Sequence, residues 1–290
     1  MLPHISEVIR PRTLEEALEI LVTADGSVVP VAGGTAKSLF KSSKIKALLD
    51  LWTLPLRYLQ DGGSSLRIGA TATAGDIVRS ATVRETVGDA LWEAASRTAA
   101  SPLRNLITVG GNLASLFPWS DMPVALLVLD AKIHVRSQDM AFWAITDFIR
   151  ERPRKLLSSR GLIAEIEVPV TPECSGSAFL KFAESRYAYA WVDAAAYIRL
   201  NQNICAECRI AVGAVESAPR RLPEVERLLT GQSLTADIIH QAGVAVLSAV
   251  NPIADVRSSK EYRLELTSEL CQRVITMARD RAQLSKEVVQ

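Results

Sequence analysis

Cysteine, histidine and aromatic side chains are scarce in this 290-residue sequence, which has four Cys, three His and 6% Phe, Trp and Tyr. Cys174, Cys205, Cys208 and Cys271 are too few and too scattered for a disulfide framework. Cys205-Ala-Glu-Cys208 has the spacing of half a zinc or iron–sulfur site, but no second pair of Cys or His completes it. It reads as two reduced thiols in a strand or turn. His4, His134 and His240 stand apart from any HExxH or triad-like setting and read as packing or surface residues. Charge of one sign is lacking too. Thirty-three basic residues against 32 acidic leave +1, so no overall field draws the chain to nucleic acid or to an anionic membrane. Any charged ligand must be held locally. No apolar run reaches 18 residues, and the first residues carry neither a basic n-region nor an h-region, so no membrane span and a cytoplasmic location are expected. The Rossmann glycine fingerprint, the P-loop pattern and any nucleophile-elbow setting for a Ser-His-Asp set are all missing.

What is present is a large apolar content, 48%, enough for one large core or two to three smaller ones. Two glycine pairs stand out. Val28-Val-Pro-Val-Ala32 reads as a buried strand ending in Gly33-Gly34-Thr35, followed by a helix-like segment at residues 36–40. Arg104 leads through Leu106, Ile107, Thr108 and Val109, an apolar and β-branched stretch read as a strand end, into Gly110-Gly111-Asn112. Adjacent glycines remove both Cβ atoms, so backbone N–H groups can turn toward an anion and approach it closely. The bland reading of either pair is a tight turn; two such loops in one chain favour a nucleotide. Asp121, between Pro118 and Pro123, adds a carboxylate at the start of a buried helix over residues 123–129.

Along the chain, residues 11–22 form a helix with Thr13 as N-cap and Glu16 as its capping-box partner. Strands are expected at residues 44–51, 66–70, 132–136 and 162–168, and helices at 73–79, 87–101 and 144–148. Beyond Pro169 the pattern changes to three strands (175–182, 190–200, 204–215), two amphipathic helices (223–229, 236–250) and a long charged helix (259–283), with a domain boundary near Thr171-Pro172-Glu173. Tyr187, Tyr189 and Trp191 alternate with period two and read as one strand face buried in that domain's core, ahead of stacking on a cofactor. Trp119 either covers a ligand or plugs a hydrophobic seam. A nucleotide site with no acid–base machinery of its own points to electron or hydride transfer, in which a cofactor carries the chemistry.

Taken in order, Val31-Ala-Gly-Gly-Thr35, Ser101-Pro-Leu-Arg-Asn105 leading to Thr108-Val-Gly-Gly-Asn112, and Pro118-Trp-Ser-Asp121 resemble the FAD-binding subunit of molybdenum hydroxylases of the xanthine, carbon monoxide and nicotinate dehydrogenase type. Residues 11–21, 161–169 and 257–263 match further family segments, so the resemblance covers nearly the whole chain. It implies an α+β protein: a two-subdomain FAD-binding fold of the vanillyl-alcohol-oxidase (PCMH) type at residues 1–57 and 58–171, then a C-terminal α+β domain at 172–290 with a three-stranded antiparallel sheet and helices. It implies that Val31, Ala32, Gly33, Gly34, Thr35, Ala36 and Lys37, with Thr108, Gly110, Gly111 and Asn112, wrap the FAD diphosphate. Asp121 would accept from a ribityl or ribose hydroxyl, and Ile163 and Lys181 would lie along the isoalloxazine and its carbonyl edge. Relatives usually carry Asp where this chain has Ala36. A solvated strand charge is the other reading of Lys181.

The resemblance further implies an oxidoreductase assembly. A large molybdopterin-binding subunit hydroxylates the organic substrate, a small subunit with two 2Fe–2S clusters relays the electrons, and the FAD held here delivers them to NAD or another acceptor. The alternatives are a free-standing FAD oxidase and a flavin-free structural subunit.

Overall fold

A computed structural model describes residues 4–36, 43–137, 140–157 and 161–287. The chain begins with β1 (Glu7–Ile9), α1 (Leu14–Thr23), β2 (Val28–Val31) and β3 (Ala47–Asp50), which form a parallel sheet in the order β1-β3-β2. α1 starts where the sequence places it. Thr13 Oγ1 accepts the Glu16 N–H (3.1 Å), and Glu16 Oε2 accepts the Arg12 N–H (2.7 Å), so two otherwise orphaned amides are satisfied. Ala17, Leu18 and Leu21 then pack with Val28, Ala47 and Leu49 in a small core of their own.

The next stretch is β4 (Leu59–Asp61), β5 (Ser65–Gly69), α2 (Ala74–Arg79), α3 (Ala81–Val87), α4 (Asp89–Arg97), α5 (Ser101–Arg104), α6 (Val109–Ser115), α7 (Asp121–Val128), β6 (Lys132–Arg136), β7 (Met140–Ala144), α8 (Ile145–Arg150), α9 (Pro153–Leu157) and β8 (Leu162–Pro169). Its five strands make an antiparallel sheet in the order β4-β5-β8-β6-β7. The helix expected at residues 87–101 is divided. Gly88 adopts φ +77°, which ends α3, and α4 begins with the Ala90 N–H donating to Ser177 Oγ (3.1 Å), a hydroxyl from far along the chain. β7 has no counterpart in the sequence reading.

The last stretch comprises β9 (Ser175–Phe182), β10 (Val192–Asn201), β11 (Ile204–Gly213), β12 (Arg220–Arg221), α10 (Pro223–Leu229), α11 (Ala236–Ala249) and α12 (Lys260–Glu287). Its antiparallel sheet runs β12-β11-β10-β9, so the three strands expected from the sequence are joined by a short fourth, paired through Ala211 and Val212. Residues 187–191 are not a strand face but part of the β9–β10 loop, and Tyr187 and Tyr189 are exposed, Tyr189 at 62%. Both faces of the sheet are covered. Ala194, Ala196 and Ile198 belong to the core that includes Val274, Ile275 and Ala278 of α12; Ala195 and Tyr197 belong to the core of the preceding stretch, with Leu91 of α4 and Val124 of α7. α7 is buried along all eight residues and apolar on every side after Asp121, because it is packed inside the core of the preceding stretch, against the face of this sheet that carries Ala195 and Tyr197.

Two sequence-distant parts are tied by charge as well as packing. Glu93 on α4 accepts from the Phe179 N–H of β9 (2.8 Å) and from Arg281 Nη2 on α12 (2.6 Å). Removing a part-buried carboxylate that satisfies a backbone amide and an arginine leaves both without an acceptor, so Glu93→Ala is expected to lower the unfolding free energy by about 3 kcal/mol. Urea unfolding of the two proteins, compared by midpoint at equal slope, checks this.

Candidate functional site

The loop after β2 is built on a close approach. Gly33 lies against the backbone of Leu106, so near that a Cβ at Gly33 would sit 1.6 Å from the Leu106 carbonyl oxygen. Gly34 follows at φ +69°, a conformation that glycine adopts without steric cost. Among the described residues, these two glycine amides are thus without a backbone acceptor. Val31 closes β2 opposite Asp50, Ala32 to Ala36 are half-buried, and Lys37, with most of the segment expected to be helical at 36–40, lies outside the described residues.

The second glycine pair differs from its sequence reading. Residues 106–109 are not a strand running into a loop: Thr108 is the N-cap of α6, its Oγ1 accepting the Gly111 N–H (3.1 Å), so both glycines lie in the first helical turn. The amides expected to face an anion are engaged internally, Gly110 N–H with the Ala70 carbonyl (2.9 Å) and Gly111 N–H with Thr108 Oγ1, and the preceding Val109 N–H donates to the Ala72 carbonyl (2.8 Å). What the pair supplies is approach. Gly110 fits against Ala70, whose carbonyl oxygen would be 2.7 Å from an added Cβ, and Gly111 presents bare backbone at the surface. Ala70 in turn donates to the Ala164 carbonyl (3.0 Å), which brings Ile163, buried on β8 opposite Val135, one residue from this stitched network. Asn112 Nδ2 donates to Ser120 Oγ (3.4 Å), and among the described residues Asn112 Oδ1 is buried with no partner.

α6 ends at Leu116, which takes the left-handed conformation (φ 38°) and turns the chain outward into Phe117-Pro118-Trp119. Phe117 and Trp119 stack at 5.1 Å, Trp119 meets Tyr189 at 5.2 Å, and the guanidiniums of Arg154 and Arg257 lie over Phe117 and Trp119. Trp119 thus belongs to an aromatic seam between the two parts of the chain.

Asp121 and Lys181 come together but face inward. Lys181 Nζ donates to Asp121 Oδ2 (3.0 Å) and to the Arg97 carbonyl (2.6 Å), and Thr98 Oγ1 donates to the same carboxylate oxygen (3.0 Å). Both side chains are nearly closed to solvent, at 3% and 6% exposure, so Lys181 is no solvated strand charge. Asp121 has its partners inside the protein instead of presenting an open acceptor for a sugar hydroxyl. Burial pushes its carboxyl above the usual carboxylate range, against the downward pull of Lys181 and Thr98. The neighbouring carboxyl, Asp193, is held higher still, by burial first and then by the charge of Asp121.

Beside Lys181 a cleft of about 400 Å³ opens between Arg97, Phe182, Ala183, Ser185 and Arg186. Sequence reasoning missed Arg97 and Arg186, for which no local signal exists, and Asp193, whose signal was a lone carboxylate in an apolar strand. Among the described residues no group of His, Cys, Asp and Glu could hold a metal ion, and no helix is long and apolar enough to cross a membrane.

Over residues 4–171 the chain matches the family model described as FAD binding domain in molybdopterin dehydrogenase, and over residues 177–278 that described as CO dehydrogenase flavoprotein C-terminal domain. The glyceraldehyde dehydrogenase medium chain of Sulfolobus acidocaldarius is 32% identical over 93% of this chain and 97% of its own. The 6-hydroxypseudooxynicotine dehydrogenase complex subunit alpha of Paenarthrobacter nicotinovorans is 28% identical over 99% of both chains. A chain of the quinoline 2-oxidoreductase structure from Pseudomonas putida superposes with a TM-score of 0.88 at 26% identity, covering 97% of this chain and 99% of that one.

The contact between Gly33 and Leu106 involves backbone on both sides, so no side chain can swing away to admit a methyl group. Gly33→Ala is expected to part the two loops and destabilise the fold by about 3 kcal/mol. Urea unfolding, together with faster amide exchange at Leu106 and Ile107, checks it.

Proposed function

Because the chain belongs to the FAD-binding subunits of the molybdopterin dehydrogenase family, we propose that it holds its FAD across the two glycine loops and passes electrons through it from redox centres on partner subunits to a terminal acceptor. The observation that carries this reading is the seating of Gly33 on Leu106, which puts the open amides of the first loop next to the stretch that leads into Gly110-Gly111. Among the described residues, the features that suit the cofactor are the Gly33 and Gly34 amides without a backbone acceptor, a bare backbone surface at Gly111, and the buried, unpartnered Asn112 Oδ1.

In this reading residues 31–37 and Thr108 to Asn112 clasp the diphosphate, with the Gly33 and Gly34 amides donating to its oxygens. Ile163 would line the ring, and Lys181, fixed by Asp121 and the Arg97 carbonyl, would offer its ammonium from the wall of the cleft to the isoalloxazine edge. Arg97 and Arg186 add positive charge to that wall, which favours an anionic form of the ring. Bound FAD supplies one- and two-electron exchange, which no side chain here offers. Asp121 is assigned to holding Lys181.

Relatives named as a medium chain, or as the alpha subunit of a complex, support a heteromeric assembly. Its partners are a large molybdopterin-binding subunit that oxidises the organic substrate and a small 2Fe–2S subunit that relays the electrons, with NAD or another acceptor receiving them, in the cytoplasm.

The purified chain is expected to show a flavin absorption band. Gly34→Val, which forces a β-branched residue into left-handed backbone, is expected to weaken FAD binding at least tenfold, about 1.4 kcal/mol. Fluorescence titration of the flavin-free protein measures this. Bleaching of the band by an organic substrate without partner subunits would replace the relay with a free-standing oxidase, and an absent band would leave a structural subunit.

A further inference from the structure

Behind the cleft, β10 carries Val192-Asp193-Ala194-Ala195-Ala196, an apolar run broken by one carboxylate. Sheet register sets Asp193 directly opposite Lys181 on β9. Strand alternation puts Asp193 on the face of Ala195 and Tyr197, toward α4 and α7, with Ala194 and Ala196 toward α12. There it lies within hydrogen-bond reach of Asp121 at the start of α7. Its site is shaped to hold it: a Cβ at Gly213 of β11 would come within 2.3 Å of Asp193 Oδ1 and 2.6 Å of Val124. Asp193 is 0% exposed, and among the described residues neither of its oxygens, nor Asp121 Oδ1, meets a donor.

The charged groups that bear on Asp193 are Lys181 from β9 and Asp121 from α7. α4 contributes the Arg97 carbonyl and α4's C-cap the Thr98 hydroxyl, both already bonded to that pair, and β11 contributes a glycine. Two carboxylates against one ammonium would leave an unmatched negative charge in a dry interior, together with three oxygens lacking donors. A single proton removes the charge and bonds the two acids to each other. We propose that Asp193 is a positioning residue: it is carried as the neutral acid and donates its proton to Asp121, so that Asp121 keeps one full charge for the Lys181 ammonium in the cleft wall. Burial and the Asp121 charge both favour this protonated form. With the proton in place the three groups sum to zero, and Arg97 and Arg186 set the sign of the cleft. Without it, a net negative charge stands behind Lys181.

The proton bound in the folded state gives the linkage its sign. Because the folded pKa of Asp193 lies above its unfolded value, the stability it contributes is complete below the unfolded pKa and is lost as pH rises through the folded one. Asp193→Asn keeps a neutral donor at the same place, and Asp193→Ala removes it. Thermal unfolding of the full chain without added FAD, from about pH 5 to about pH 9, compares the three proteins. The wild type and Asp193→Asn are expected to melt together at the acid end. At the alkaline end the asparagine variant should melt higher by about 3 °C or more, and Asp193→Ala should melt lower than Asp193→Asn throughout. Parallel profiles of wild type and Asp193→Asn overturn the assignment, as does an Asp193→Asn protein that folds no better than Asp193→Ala. The effect on the cleft rests on the flavin reading and has its own readout: FAD affinity of the wild type should fall about tenfold across the same range and that of Asp193→Asn should not. If the wild type takes up no FAD at any pH, the flavin reading fails, and the melting profiles still decide the proton.

Discussion

The contact on which this structure turns is one between two backbones. Gly33 rests on the Leu106 carbonyl with no room for even a methyl group, and through it the small parallel sheet at the start of the chain is placed against the loop that feeds α6. Neither partner can adapt by changing a rotamer, so the distance between the two loops is fixed by main-chain geometry alone. The FAD site proposed above would draw on that rigidity, because its grip would be spread over segments that sequence does not join. The hydrogen bonds from Val109 to Ala72, from Gly110 to Ala70 and from Ala70 to Ala164 continue the same rigid connection into the five-stranded sheet.

The second determinant is the buried layer formed by α4 and α7 between two sheets. α7 has no solvent side, and the polar groups at its start are correspondingly concentrated: Thr98 and Lys181 both donate to one oxygen of Asp121, and Asp193 is buried beside them. The same layer forms one wall of the cleft and the seam between the two parts of the chain, so electrostatics at the cleft and adhesion between the parts share residues. Glu93 and Arg281 reinforce that seam from the other end of α4.

How much of this was legible depended on how local the cause was. α1 was readable because a capping threonine, an acidic partner three residues on and an apolar stripe all lie within one short window. The long strands 175–182 and 204–213 were readable from their composition. Residues 106–109 misled because Ile107, Thr108 and Val109 are β-branched, whereas the deciding fact was the Thr108 hydroxyl turning to cap Gly111. Tyr187, Tyr189 and Trp191 alternate without being a strand, since the hairpin between β9 and β10 keeps them in a loop. Of the site, the two glycine pairs were visible, but not the seating of Gly33 on Leu106, and Asp121 was visible as a carboxylate but not as a buried one. Depth and partnership across the chain come from packing, which no short window contains.

The tie between Glu93 and Arg281 spans 188 positions. A chain made from its N-terminus therefore displays α4 long before the helix that completes its polar contacts exists, and the Glu93 carboxylate stays hydrated while most of α12 is still being translated. In a chain that folds as it is made, the Phe179 amide can reach Glu93 well before the Arg281 guanidinium does, so the ionic half of this tie is among the last of the α4 contacts to become available.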